Sequence, residues 1–142
     1  MSTTAPILRA LTDEARTAMQ RDERMIKHVP YRVGREQRVA LVGGEYRSIE
    51  RRQTGEPPTN ELYLLDVGDK LNVSREHFQI EQEQDGSYVL TDRGSACGTI
   101  VDDQPVGGQD HGGRHPLRNG STIRVGTSSS PYLFAFVIPE SD

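Results

Sequence analysis

Asn72-Val-Ser-Arg-Glu-His-Phe-Gln79 is the stretch that organises this chain. A short polar run carrying a hydroxyl, Ser74, and a guanidinium, Arg75, leads directly into the alternating segment His77-Phe78-Gln79-Ile80-Glu81. Phe78 and Ile80 then share one face of a half-buried strand. The reading is a polar tip mounted on a rigid strand. Upstream, Arg35 follows Gly34 at the end of another apolar stretch and offers a second guanidinium at a strand end.

Short alternating runs recur on both sides of this stretch. Leu62 to Leu65, 78 to 83, 87 to 91 and Thr99 to Val101 read as strands, as does the apolar closing run Tyr132 to Ile138. Asp85-Gly86 is a strong hairpin signal, and Asn119-Gly120 predicts a second hairpin with Ile123 and Val125 turned inward. Met25 to Gly34 reads as a strand whose Pro30 places it at an edge or an irregularity, because proline donates no ladder hydrogen bond. Val39 to Val42 forms at most a brief strand inside a long surface loop, Glu36 to Asn60. Its charges Glu45, Arg47, Glu50, Arg51, Arg52 and Glu56 are of mixed sign and focus no field. Asp92 to Gly98 is a second polar loop, and Gly107 to Pro116 reads as a wide glycine-rich one.

The leading segment differs in character. Ile7 to Leu11 reads as a short edge strand, and Thr12 or Asp13 caps about two turns of helix carrying Ala15, Ala18 and Met19 at helical spacing. The predicted architecture is an all-β antiparallel sandwich, 25–142, preceded by an N-terminal extension with a short helix, 1–24.

With 142 residues the chain fits one such domain. Fourteen glycines and eight prolines fit a turn-rich protein. A net charge of −4 provides no general attraction for nucleic acid or anionic lipid, so a phosphate site here has to be local. The single cysteine, Cys97, forms no internal disulfide, and the start shows no signal-peptide pattern; a cytoplasmic location is expected. No apolar run approaches the roughly 20 residues that a membrane helix needs.

Four motifs in order carry a family resemblance: Gly34-Arg35; Ser74-Arg75-Glu76-His77; Leu90-x-Asp92-x-x-Ser95-x-x-Gly98-Thr99; and Leu117-x-Asn119-Gly120-x-x-Ile123-x-Val125-Gly126. Together they closely resemble the forkhead-associated (FHA) domain over roughly residues 29 to 138, as found in small bacterial FHA-domain proteins. The resemblance implies a sandwich whose loops at one end hold a phosphothreonine peptide. Arg35, Ser74 and Arg75 would contact the phosphate, and Ala96, Cys97, Gly98, Thr99 and Asp102 would lie along the peptide. Gly34 would support the site, and His77 would brace the Ser74 loop. The implied partner is a phosphothreonine-containing protein, a kinase or kinase substrate, with Ser/Thr kinase signalling in bacteria as the setting. No cofactor or metal is implied.

The chemistry suits the task. A phosphate dianion presents three acceptor oxygens, which arginine's planar fork and serine's short hydroxyl match. Ala96 and Cys97 depart from the family pattern, where a hydroxyl residue and an asparagine usually stand. Asparagine both donates and accepts; alanine does neither and cysteine only weakly. The alternative function is therefore a phospho-independent interaction scaffold on the same fold. A hydrolase using Ser74, His77 and Asp92 is the third class, disfavoured because no Gly-x-Ser-x-Gly element is present. Cys97 beside Arg35 and Arg75 raises a redox reading through a stabilised thiolate. His111 and His115, behind Asp110, have metal-like spacing only on a helix, which Gly112-Gly113 opposes.

Overall fold

The computed structural model describes residues 5–42, 45–48, 60–67, 72–109 and 111–139. Two sheets face each other. In chain order the elements are β1 (Ile7–Ala10), α1 (Asp13–Met19), β2 (Glu23–Met25), β3 (Tyr31–Val42), β4 (Glu45–Ser48), β5 (Leu62–Val67) and β6 (Phe78–Gln82). They continue with β7 (Tyr88–Asp92), β8 (Thr99–Val101), β9 (Gln104–Val106), β10 (Gly113–Leu117), β11 (Ser121–Val125) and β12 (Leu133–Val137). One sheet runs β2-β1-β12-β11-β8-β9; the other runs β10-β7-β6-β3-β4, with β5 also paired to β3.

Period-two burial puts the core between the sheets. Phe78, Ile80 and Leu90 of one sheet and Leu8, Ile123, Phe134 and Phe136 of the other are fully buried. Each side chain of this size contributes roughly 1.5–3 kcal/mol on burial. The leading segment belongs to this core. Leu8 pairs with Phe136 in the β1–β12 ladder, and Ala15, Ala18 and Met19 of α1 are buried, with the helix lying against β5. Thr12 caps α1, its hydroxyl accepting from the Ala15 N–H at 3.0 Å. The boundary expected after residue 24 thus falls inside β2, an edge strand of the first sheet.

Several expectations are corrected. β3 extends over twelve residues, from Tyr31 to Val42, with a register shift between Arg35 and Arg38, where a strand ending at Gly34 and a separate brief one at Val39 to Val42 were expected. Pro30 stands just before it, outside any strand. β5 pairs parallel to β3, so the second sheet is mixed. Gly113–Leu117 is a strand rather than loop, paired with β7 at the sheet edge, where Pro116 is tolerated. Asn119-Gly120 joins β10 of one sheet to β11 of the other, so it makes an inter-sheet turn and not a hairpin. Residues 49–59, which include Glu50, Arg51, Arg52 and Glu56, lie outside the described residues, as does Asp110.

Candidate functional site at the rim of the sandwich

The site grows from a disturbance in the β3–β6 ladder. Regular pairing ends at Val33 opposite Phe78; beyond it the His77 N–H donates to the Val33 carbonyl at 3.0 Å and the Arg35 N–H to the Ser74 carbonyl at 2.9 Å. Gly34 sits between, pressed on the Arg75 backbone: a Cβ there would lie 2.0 Å from the Arg75 carbonyl oxygen. That approach excludes any other residue. It also sets Arg35 beside the Ser74 loop, and the Arg35 guanidinium, nearly buried, donates through Nη1 to the Val73 carbonyl at 3.2 Å.

A second loop, 93–98, is fastened to the first. The Ala96 N–H donates to the Ser74 hydroxyl oxygen at 3.0 Å. His77 joins both loops through its ring: Nδ1 accepts from the Ser74 N–H at 2.9 Å and Nε2 lies 2.7 Å from the Gly98 carbonyl. Those partners require the neutral ring with its proton on Nε2. Burial favours that form by lowering the His77 pKa, against the opposing pull of the Gly98 carbonyl and of Asp92 and Asp66.

Two buried carboxylates shape the loops themselves. Asp92 accepts from the backbone N–H groups of Gly94 and Ser95 and from the hydroxyls of Ser95 and Thr99, all between 2.7 and 2.9 Å. Ser95 passes the order on, its hydroxyl accepting from the Gly98 N–H at 2.9 Å. Asp66 does the same for the first loop, accepting from Asn72 and Val73 N–H and from the Tyr132 hydroxyl. Asn60 completes the frame: its amide donates to the Arg75 carbonyl at 2.9 Å and accepts from Arg93 at 3.0 Å, while Arg93 pairs with Glu76.

Gly34, Arg35, Ser74, Arg75, His77, Ala96, Cys97 and Gly98 are therefore brought to one end of the sandwich. Thr99 lines a groove at this end without exposing its side chain, and Asp102 lines neither groove. Thr99 is buried with its hydroxyl on Asp92, and Asp102 lies beyond the far end of β8, where its carboxylate accepts from the Ser121 hydroxyl and the Thr122 N–H. The hydrolase triad is not assembled: both ring nitrogens of His77 face backbone groups, and Asp92 faces Ser95 and Thr99. Nor is Cys97 an activated thiol, since burial and the negative charge of Asp66 push its pKa up. His111 is exposed and closes a loop bridge with Gly108, and His115 is half-buried on β10. Asn60 was missed because it ends a segment with no strand periodicity; only proximity in space reveals its role.

Two open grooves border the 93–98 loop, which the Ala96 N–H ties to Ser74. One, of about 600 Å³, is lined by Ala96, Cys97, Gly108, Gln109, His111 and Thr127 among others. The other, about 400 Å³, runs past Gly98, Pro105 and Ser128. A buried guanidinium and a hydroxyl on one loop, with a groove bordering the loop bonded to it, suit an anionic group carried on an extended chain.

The family model for the FHA domain matches residues 31–126. The chain belongs to the FHA domain family. Among solved structures, the FHA domain of the CT664 protein from Chlamydia trachomatis is similar at 20% identity and a TM-score of 0.57, over 96% of this chain and 100% of that one. An engineered FHA with Myc-pTBD peptide is similar at 19% identity and a TM-score of 0.58, over 98% of this chain and 94% of that one. No curated protein matches the chain. FHA domains are in general phosphopeptide-binding modules, and the rim of this FHA domain is the end that carries Arg35 and Ser74.

Proposed function

We propose that this chain captures a phosphothreonine on a protein partner, a Ser/Thr kinase or one of its substrates, and performs no chemistry on it. The observation that carries the reading is the Ser74 hydroxyl. Its oxygen already accepts from the Ala96 N–H, which leaves its proton to donate, while the Arg35 guanidinium donates to the carbonyl of the neighbouring Val73. Arg35, Ser74 and Arg75 bind the phosphate in this reading, and Ala96, Cys97 and Gly98 flank the peptide. Gly34 and His77 hold the frame. Among the described residues no helix is long and apolar enough to cross a membrane. A cytoplasmic location in bacterial kinase signalling fits the lone cysteine.

Binding of fluorescein-labelled phosphothreonine peptide pools, measured by anisotropy beside matched threonine pools, tests the reading. Wild type is expected to prefer the phosphorylated pool, and Arg35→Ala to lower that affinity about tenfold or more, each charged hydrogen bond being worth roughly 1.5–3 kcal/mol. Equal binding of the two pools would leave the phospho-independent scaffold, the reading that Ala96 and Cys97 favour.

A further inference from the structure

We propose that Gln109 supplies the side-chain amide that grips the main chain of the bound peptide, a role that neither Ala96 nor Cys97 can fill. The proposal rests on the phosphothreonine reading above and adds to it the residue that recognises the ligand beyond its phosphate.

A chain lying along the rim presents N–H and C=O groups that lose water when it binds, and a group that both donates and accepts answers them best. Position comes first. The Gln109 N–H donates to the Ala96 carbonyl at 3.0 Å, and the Ala96 N–H donates to the Ser74 hydroxyl at 3.0 Å. Gln109 is therefore tied to the phosphate hydroxyl through one intervening residue, and it lines the same groove as Ala96 and Cys97. Presentation comes next. Gly108 and His111 exchange two backbone hydrogen bonds, 2.8 and 2.9 Å, which close a tight turn with Gln109 near its tip. Among the described residues nothing holds the exposed Gln109 carboxamide, whereas the Thr127 hydroxyl, across the groove, lies 3.0 Å from that of Ser129.

The backbone adds a third observation. Gln109 stands at φ +52°, in the left-handed region, within a loop that otherwise uses Gly107, Gly108, Gly112 and Gly113. Glycine would hold that conformation with less strain.

The conformation also supplies a clean test. Gln109→Gly removes the side chain while relieving the backbone, so its melting temperature is expected to equal or exceed that of wild type. Two probes are titrated: a fluorescein-labelled eleven-residue phosphothreonine peptide pool, by anisotropy, and N-acetyl-phosphothreonine N-methylamide, by NMR shift changes. Gln109→Gly is expected to weaken the peptide pool roughly five- to tenfold, as one or two lost hydrogen bonds imply, and to leave the blocked amino acid unchanged. Gln109→Asn, which keeps a shorter amide and tolerates the left-handed region, should restore part of the loss.

Peptide binding by Gln109→Gly equal to wild type, with Arg35→Ala still defective, overturns the proposal and leaves the phosphothreonine reading standing. A lowered melting temperature with equal losses on both probes also overturns it, by making Gln109 a structural residue. Failure of wild type to prefer phosphorylated over plain peptides removes the phosphothreonine reading itself, and this proposal with it.

Discussion

Gly34 decides more about the rim than its size suggests. With a Cβ only 2.0 Å from the Arg75 carbonyl and 2.7 Å from the Asn60 amide, Gly34→Ala must push the Ser74 loop off β3. Overpacking of this kind costs about 1–3 kcal/mol, which urea denaturation will read, and phosphopeptide binding should fall with it because Arg35 and Ser74 separate. His77 sets a second expectation. Protonation would put a hydrogen on Nδ1 facing the Ser74 N–H, so the charged ring breaks the link between the loops. The Gly-Arg and Ser-Arg-x-His motifs were readable because each is short and contiguous. That His77 speaks to the Gly98 carbonyl, and that Thr99 turns inward to Asp92, was not, since those contacts join residues twenty-one and seven positions apart.

Among the elements, the end of β7 governs the second loop. Asp92 holds four donors with one buried carboxylate, so Asp92→Ala strands two hydroxyls and the Ser95 N–H away from water and releases the half-buried Gly94 N–H. A loss of at least about 3 kcal/mol is expected in urea denaturation. Hairpin β6–β7 was legible from Asp85-Gly86 between alternating runs, and β8, β11 and β12 from their apolar periodicity. β10 was hidden by Gly113 and Pro116, residues that local propensity counts against strands, and is a strand because β7 offers it an open edge. Continuation of β3 past Gly34 was hidden in part: Val39 to Val42 pairs with the adjacent β4, but Gly34 and Arg35 pair in parallel with β5, which lies across a long connection.

For the whole molecule, the leading segment is a structural member. Removing residues 1–24 takes β1 from its ladder with β12 and strips Leu8, Ala15 and Met19 from the core. Such a truncation is expected to be unfolded or to melt many degrees lower by calorimetry; an unchanged melting temperature would show the segment to be dispensable. Acid should weaken the fold in two stages. His77 is buried neutral with a lowered pKa, so its contribution is complete above the ordinary 6.5 and declines as pH falls below that value. Glu61, held at about 2 by hydrogen bonds from Arg32, contributes fully above 4.5 and loses its contribution as pH falls toward 2. Urea midpoints at pH 7.5, 5.5 and 3 should descend in that order, and Arg32→Ala should shrink the second step while leaving the first. Sequence alone determined the strand-rich sandwich and singled out Arg35, Ser74 and His77 as candidates, because period-two burial and short motifs are local properties of a chain. Only the tertiary structure decided that β1 completes a sheet, that Asn60 braces the Arg75 loop and that Gln109 stands beside Ala96. Those placements follow from ladder pairing and hydrogen bonds between distant segments, which no window of neighbouring residues contains.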